Sequence, residues 1–307
     1  MKLLKAGIVV NSSGCNTVIK ALAEPEMLEI FTPVILSIDN SFSKAVRELD
    51  SEQQFPLCAI SNADEILDGR INVIETFANE GEAIDRAVAL YLDNHLDIII
   101  DISATKRNRE DTKDLCARLI AALNADNDTS LVWYVKGNTR LIQSSAETLT
   151  ADVKNARQTI RRDLTLIKPR IAVLAKDDKT REQVTALREE GFFAFGPFAA
   201  ENFIETRQYK PYDAIIVVDG DEDLGKTLED IDTSAFGYIS GLPMVFTYLA
   251  EVTAESDQDF KAALYSSISM SKNRRRYRYA TSNPLEKQWI PRGKDDFKLD
   301  LTKEESD

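Results

Sequence analysis

The chain of 307 residues contains a single histidine, His95. A catalytic triad or a histidine general base has to be built on it, and a multi-histidine metal centre cannot be built at all. His95 lies in Tyr91-Leu92-Asp93-Asn94-His95-Leu96-Asp97-Ile98, where a helical pattern gives way to a strand. There an imidazole can simply complement the negative end of a helix dipole, which is the plain alternative to a catalytic role. Cysteine is scarce too. Cys15, Cys58 and Cys116 are widely spaced, which predicts no disulfide framework, a reducing compartment and no zinc-ligand cluster. Basic residues are outnumbered, 38 against 51 acidic, for a net charge of −13. Such a field repels nucleic acid and anionic membrane surfaces. No apolar run approaches the length of a membrane span. The opening Met1–Val10 has the look of a leader, but Asn11 ends its apolar run and no small-residue cleavage signal follows. It reads as a buried first strand, and the expected location is the cytoplasm.

What is present is an alternation of short apolar runs with helical patterns. Ala6–Val10, Phe31–Ser37, Ile71–Ile74, Leu96–Ile100, Ser130–Lys136, Arg170–Ala175 and Asp213–Val218 read as strands. Helices are expected at Ser41–Leu49, Glu82–Leu92, Asp111–Leu123, Ser145–Thr165, Lys179–Glu190 and Asp259–Asn273. Asn11–Thr17 reads as a polar loop leading into a helix from Val18, and Gly196-Pro197 as a chain break. Continuous apolar runs such as Ile98-Ile99-Ile100 suit strands buried on both faces of a parallel sheet. Strands alternating with helices predict right-handed βαβ units, an α/β protein with largely parallel sheets. The length suits one large or two modest domains.

In such sheets ligands sit beyond the carboxyl ends of strands. That directs attention to the loop after Val218, Asp219-Gly220-Asp221-Glu222-Asp223. Gly220–Thr227 has the spacing of a phosphate-binding Walker A loop and follows a strand. Its carboxylates oppose the binding of a polyphosphate, and the segment after it has little apolar face. The same carboxylates form an oxygen-only set for a hard cation or, more plainly, an exposed acidic loop. Cys15, near a helix start, is either an activated or a packed thiol. Arg274-Arg275-Arg276-Tyr277-Arg278 is either a nucleic-acid patch or the cationic end of a helix, and the acidic chain favours the latter.

Several segments, in order, resemble the 4-hydroxythreonine-4-phosphate dehydrogenases of pyridoxal phosphate biosynthesis. They are Pro25–Ile35, Lys168–Leu174, Tyr212-Asp213-Ala214, Gly241-Leu242-Pro243, Phe260–Tyr265, Lys272-Asn273-Arg274 and Ala280–Leu285. The resemblance implies two α/β/α domains of the isocitrate/isopropylmalate-dehydrogenase-like type, here 1–105 with 244–293, and 106–243, followed by a charged tail at 294–307. It also implies a homodimer, NAD as cofactor, and a divalent metal held by three histidines in the interdomain cleft. The departures fall on that chemistry. Gly220 stands where the family has a metal-loop histidine, Ala175–Lys179 replaces another histidine segment, and Phe246–Ala254 replaces an arginine-bearing substrate stretch. Phe246 cannot supply a guanidinium's paired donors to phosphate. Lys106, Lys226 and Asp221 match family positions and are the candidate substrate-binding residues, each otherwise a solvated surface group. No catalytic residue is assigned, and a divalent metal is not expected. The resemblance thus implies a diverged member that keeps the fold and has lost metal-dependent dehydrogenation. Such a protein would bind a small molecule or a partner, with an active paralogue as one candidate. The alternative is an active NAD-dependent oxidoreductase with an altered, non-histidine site for a small phosphorylated or acidic substrate.

Overall fold

The computed structural model describes residues 3–49, 55–107, 109–123, 131–135, 139–218, 233–253 and 256–282. The strands are β1 (Leu4–Val10), β2 (Phe31–Ile38), β3 (Leu57–Ala59), β4 (Ile71–Phe77), β5 (Ile98–Ile102), β6 (Leu131–Val135), β7 (Thr139–Ser144), β8 (Ile171–Leu174), β9 (Ala194–Phe198), β10 (Ala214–Val218), β11 (Thr233–Ile239) and β12 (Val245–Leu249). The helices are α1 (Ser12–Leu22), α2 (Met27–Ile30), α3 (Ser41–Leu49), α4 (Glu80–Leu92), α5 (Arg109–Leu123), α6 (Leu149–Leu164), α7 (Asp178–Glu189), α8 (Ala200–Glu205) and α9 (Asp257–Ser282).

The strands form one sheet in the order β3-β4-β2-β1-β5-β12-β11-β6-β7-β10-β8-β9. From β3 to β12 every pairing is parallel, and so is every pairing from β7 to β9. Between them β12–β11, β11–β6 and β6–β7 are antiparallel. The fold is therefore two parallel α/β halves joined through an antiparallel centre. The largely parallel expectation holds for the halves. The centre escaped the sequence reading because β7 and β11 carry too mixed a pattern to announce a buried strand.

Strand alternation sorts the core by face. Ile8, Val10, Ile98, Ile100 and Ile102 pack with α1 and α9, and with α6 and α7 of the second half, in one continuous cluster. Val9, Val34, Leu36 and Ile99 point the other way, against α4 and α5. The second half buries Ala172, Leu174, Ile215 and Val217 beneath α8.

Two local expectations are corrected. Gly196 and Pro197 do not break the chain but lie within β9, at the edge of the sheet, where a proline costs no ladder hydrogen bond on its open side. Gly196 is required there, since it has φ +121° and a Cβ would collide with the Val173 carbonyl. The polar stretch after β1 is not a loop, because α1 begins at Ser12. Asn11 is its N-cap, its Oδ1 accepting from the N–H groups of Ser13 (3.0 Å) and Gly14 (3.1 Å), the usual device for satisfying a helix's first donors.

The two halves are clasped by buried charge. Asp163, near the end of α6, is fully buried. It accepts from Arg274 of α9 through both oxygens, Nε–Oδ1 2.7 Å and Nη2–Oδ2 3.0 Å, and from Arg162 Nε at 2.8 Å. Arg274 also donates from Nη1 to the Leu242 (2.9 Å) and Met244 (2.6 Å) carbonyls in the β11–β12 turn. The basic run thus lies inside α9 rather than at its end, and its first member is a core residue. Burial pushes the Asp163 pKa up, but the Arg274 charge and hydrogen bonds outweigh it and hold the carboxyl below the ordinary range. The stability Asp163 contributes is therefore full above the unfolded carboxylate pKa and is lost as pH falls through the depressed folded value. Among the described residues no helix is long and apolar enough to cross a membrane.

Arg274→Ala leaves Asp163 buried beside Arg162 alone, and we expect a loss of roughly 3–5 kcal/mol of folding stability at neutral pH, measured by urea denaturation. An unchanged midpoint would show that the clasp contributes nothing.

Candidate functional site

The order β2-β1-β5 places the topological switch point between β1 and β5, since the chain moves from β1 to β2 on one side and later returns to β5 on the other. Ligands of open α/β sheets bind in the crevice at that point, outside the carboxyl ends of the strands. Such a crevice is present, a cavity of about 590 Å³, within the range of small-molecule sites. Asn11, Ser12 and Asn16 of the β1–α1 connection line one side, Asp39, Lys44 and Glu48 of the β2–α3 passage another. Ile38 and Ala45 are the apolar part, and Glu80 and Ser103 close the rest.

Local sequence explains this arrangement. Asp39 and Asn40 both adopt positive φ, 56° and 54°, a conformation that Asp and Asn tolerate better than other non-glycine residues. The sharp turn they make ends β2 and starts α3. Gly14 lets α1 approach β5, since a Cβ there would meet the Ile102 carbonyl at 2.6 Å. The two switch-point connections are tied together, Asn11 Nδ2 donating to the Ser103 carbonyl and Ser13 Oγ lying 3.3 Å from Thr105 Oγ1.

Behind the crevice stands a buried ionic cluster. Asp101 accepts from the Ser103 N–H (3.0 Å) and hydroxyl (2.6 Å) and from Arg107 Nη2 (2.5 Å). The same Nη2 donates to Glu80 at 2.8 Å, and the guanidinium lies 5.9 Å from the Tyr248 ring centroid. Complete burial pushes the Asp101 pKa up, against the opposing pull of Arg107. Arg107 is held by backbone as well, its N–H donating to the Ala250 carbonyl at 2.8 Å. Sequence reading missed Asp101 and Arg107. An aspartate inside an isoleucine run was the available signal, since a buried charge needs a partner.

Of the candidate residues, Lys106 is exposed, its backbone bridges Glu251, and it is not among the residues that line the crevice. Asp221 and Lys226 lie outside the described residues, as do the acidic loop and the Walker-like spacing. Cys15 is packed, its thiol donating to the Asn11 carbonyl at 3.0 Å, and burial pushes its pKa up. His95 belongs to the end of α4. Its N–H donates to the Leu90 carbonyl (2.8 Å) and Asn94, at φ 61°, donates to Tyr91 (3.0 Å), a Schellman close. His95 precedes β5 and the crevice follows it, so they are a strand apart, roughly 15–20 Å at the usual rise. Phe246 and Tyr248 are buried in β12. Among the described residues no group of three His, Cys, Asp or Glu converges as a metal site, so those residues do not fit a resident divalent ion.

Two parallel α/β halves about an antiparallel centre, with a polar crevice at the switch point, define a fold of the dehydrogenase-like α/β class. Solved structures agree. The 4-hydroxythreonine-4-phosphate dehydrogenase from Klebsiella pneumoniae superposes with TM-score 0.62 at 15% identity, covering 88% of this chain and 98% of that one. The enzyme of the same name from Burkholderia phymatum gives 0.58 at 16%, covering 88% and 99%. In sequence, the curated 4-hydroxythreonine-4-phosphate dehydrogenase of Bacteroides thetaiotaomicron is 24% identical over 346 aligned positions, 95% of this chain and 94% of that protein. No family model matches the chain. The chain is similar to 4-hydroxythreonine-4-phosphate dehydrogenases, in sequence over nearly its whole length and in fold.

Arg107→Ala strands Asp101 as a buried, unpaired carboxylate. We expect a loss of roughly 3–5 kcal/mol at neutral pH that shrinks in acid, where the still higher Asp101 pKa lets it take up a proton. Thermal unfolding at several pH values checks both the size and the sign.

Proposed function

We propose that this protein uses the 4-hydroxythreonine-4-phosphate dehydrogenase fold to bind a small molecule and does not carry out metal-dependent dehydrogenation. The observation that carries this reading is the place of the lone histidine. His95 closes α4 through its backbone, a strand away from the crevice, so it is poorly placed to act there as base or ligand. The crevice itself is polar and of ligand size, and the nearby buried guanidinium of Arg107 is committed to Asp101 and Glu80. A homodimer, a cytoplasmic location and NAD as the cofactor to test belong to the same proposal, through resemblance alone. So do Lys106, Lys226 and Asp221 as ligand contacts.

A second reading has its own support, because the likeness to the named dehydrogenase of Bacteroides thetaiotaomicron spans 95% of the chain. Under it the protein is an NAD-dependent oxidoreductase whose site has been rebuilt without histidine.

The purified protein, given NAD, a divalent metal and 4-phosphohydroxy-L-threonine, is expected to form no NADH. Metal-dependent NADH formation would overturn the first reading. Metal-independent NADH formation on a small acidic substrate would establish the second.

A further inference from the structure

We propose that the switch-point crevice binds a small organic amine and rejects phosphorylated molecules. This names the ligand class for the small-molecule-binding reading above and rests on it.

The argument begins with charge. Three carboxylates, Asp39, Glu48 and Glu80, line the cavity against one ammonium, Lys44. Behind the wall, Arg107 is shared between Glu80 and the further carboxylate of Asp101. Counting that cluster, four acidic groups stand against two basic ones, and the field in the crevice favours a cation. Asp39, Lys44 and Glu48 are exposed, and none makes a side-chain hydrogen bond or ion pair among the described residues. They are available to a ligand, whereas Arg107 is engaged through Nη2 by Asp101 and Glu80, with its buried Nε left without a partner.

Part of what would favour phosphate is already used. A helix start attracts anions through its free N–H groups and its dipole. At α1 the Asn11 side chain takes the N–H groups of Ser13 and Gly14. At α3 the Ser37 hydroxyl takes the N–H of Phe42, at 3.0 Å. What remains open is acceptor-rich, and the Asp39-Asn40 turn sets the Asp39 carboxylate on the cavity wall. An ammonium donates three hydrogen bonds and accepts none, which fits a wall of carboxylates with Asn16 and Ser12 beside them.

Isothermal titration calorimetry on the full chain tests this, with putrescine, cadaverine and L-lysine as the amines and inorganic phosphate and NAD as the contrasting ligands. At least one amine is expected to bind without being displaced by phosphate or NAD. Asp39→Asn, which keeps a residue at ease with positive φ, and Glu48→Gln should each weaken it about tenfold, while Lys44→Gln should tighten it a few-fold. A destabilised fold would not tighten binding, so the lysine variant separates charge from structure. If no amine binds, or phosphate binds and Lys44→Gln abolishes it, the proposal is overturned. If an amine binds with all three substitutions silent, this site is wrong while the small-molecule reading stands. NADH formation in the assay above would instead remove that reading, whatever the calorimetry shows.

Discussion

The paired hydrogen bonds between Arg274 and Asp163 hold the two halves of this sheet in one arrangement. Arg274 comes from α9, Asp163 from α6, and the carbonyls of Leu242 and Met244 from the turn where strand direction reverses. A buried guanidinium with an ideal partner and two carbonyls has no unmet donor group of consequence, so the desolvation cost of both charges is largely offset. Apolar packing alone tolerates sliding of one helix over another, whereas a bidentate ion pair has one geometry. Thr247 and Ser267, 2.6 Å apart and buried, add a second fixed point between β12 and the same helix. The position of the second half relative to the first, and with it the width of anything between them, follows from these contacts.

How much of this was legible in the sequence depended on whether a residue's role was local. Ile98-Ile99-Ile100 could only be a buried strand, and the apolar spacing over Glu82–Leu92 marked α4, which begins at Glu80 with Asn79 Oδ1 accepting from the Glu82 N–H at 3.0 Å. The order of family-like segments gave the fold before any coordinates. The misses share a cause, which is contact across long sequence separation. Arg274 looked like one of a solvated basic run because nothing nearby marks Asp163 as its partner. Asp101 was missed because nothing in the sequence near it marks Arg107 as its partner. The acidic loop after Val218, where a site was expected, lies outside the described residues, while the cavity beyond β1 and β2 is lined by Asn11, read as part of a polar loop, and by Asp39, which belongs to no motif.

The crevice also separates what the architecture requires from what a bound molecule would meet. The switch point, the helix starts and the close approach of α1 through Gly14 are requirements of the fold, so they persist whatever is bound. Which charges face the cavity is decided by a handful of exposed positions that cost little to substitute. Asp39, Lys44 and Glu48 are of this kind. The buried Asp101–Arg107 pair is not, since removing Arg107 leaves Asp101 in low dielectric without a charge partner.

The pairing of β12 with β5 has a consequence for how the molecule is made. Ile98 lies beside Val245, so the first parallel half is incomplete until most of the chain has left the ribosome. Throughout that interval β5 presents a bare edge, apolar except for Asp101, the kind of template on which chains aggregate. Closing it requires a loop that spans the whole second half, a slow, non-local step. Prior folding of that second half would shorten the search, which makes the order in which the two halves mature, rather than the strength of either, the feature most exposed to failure in the cell.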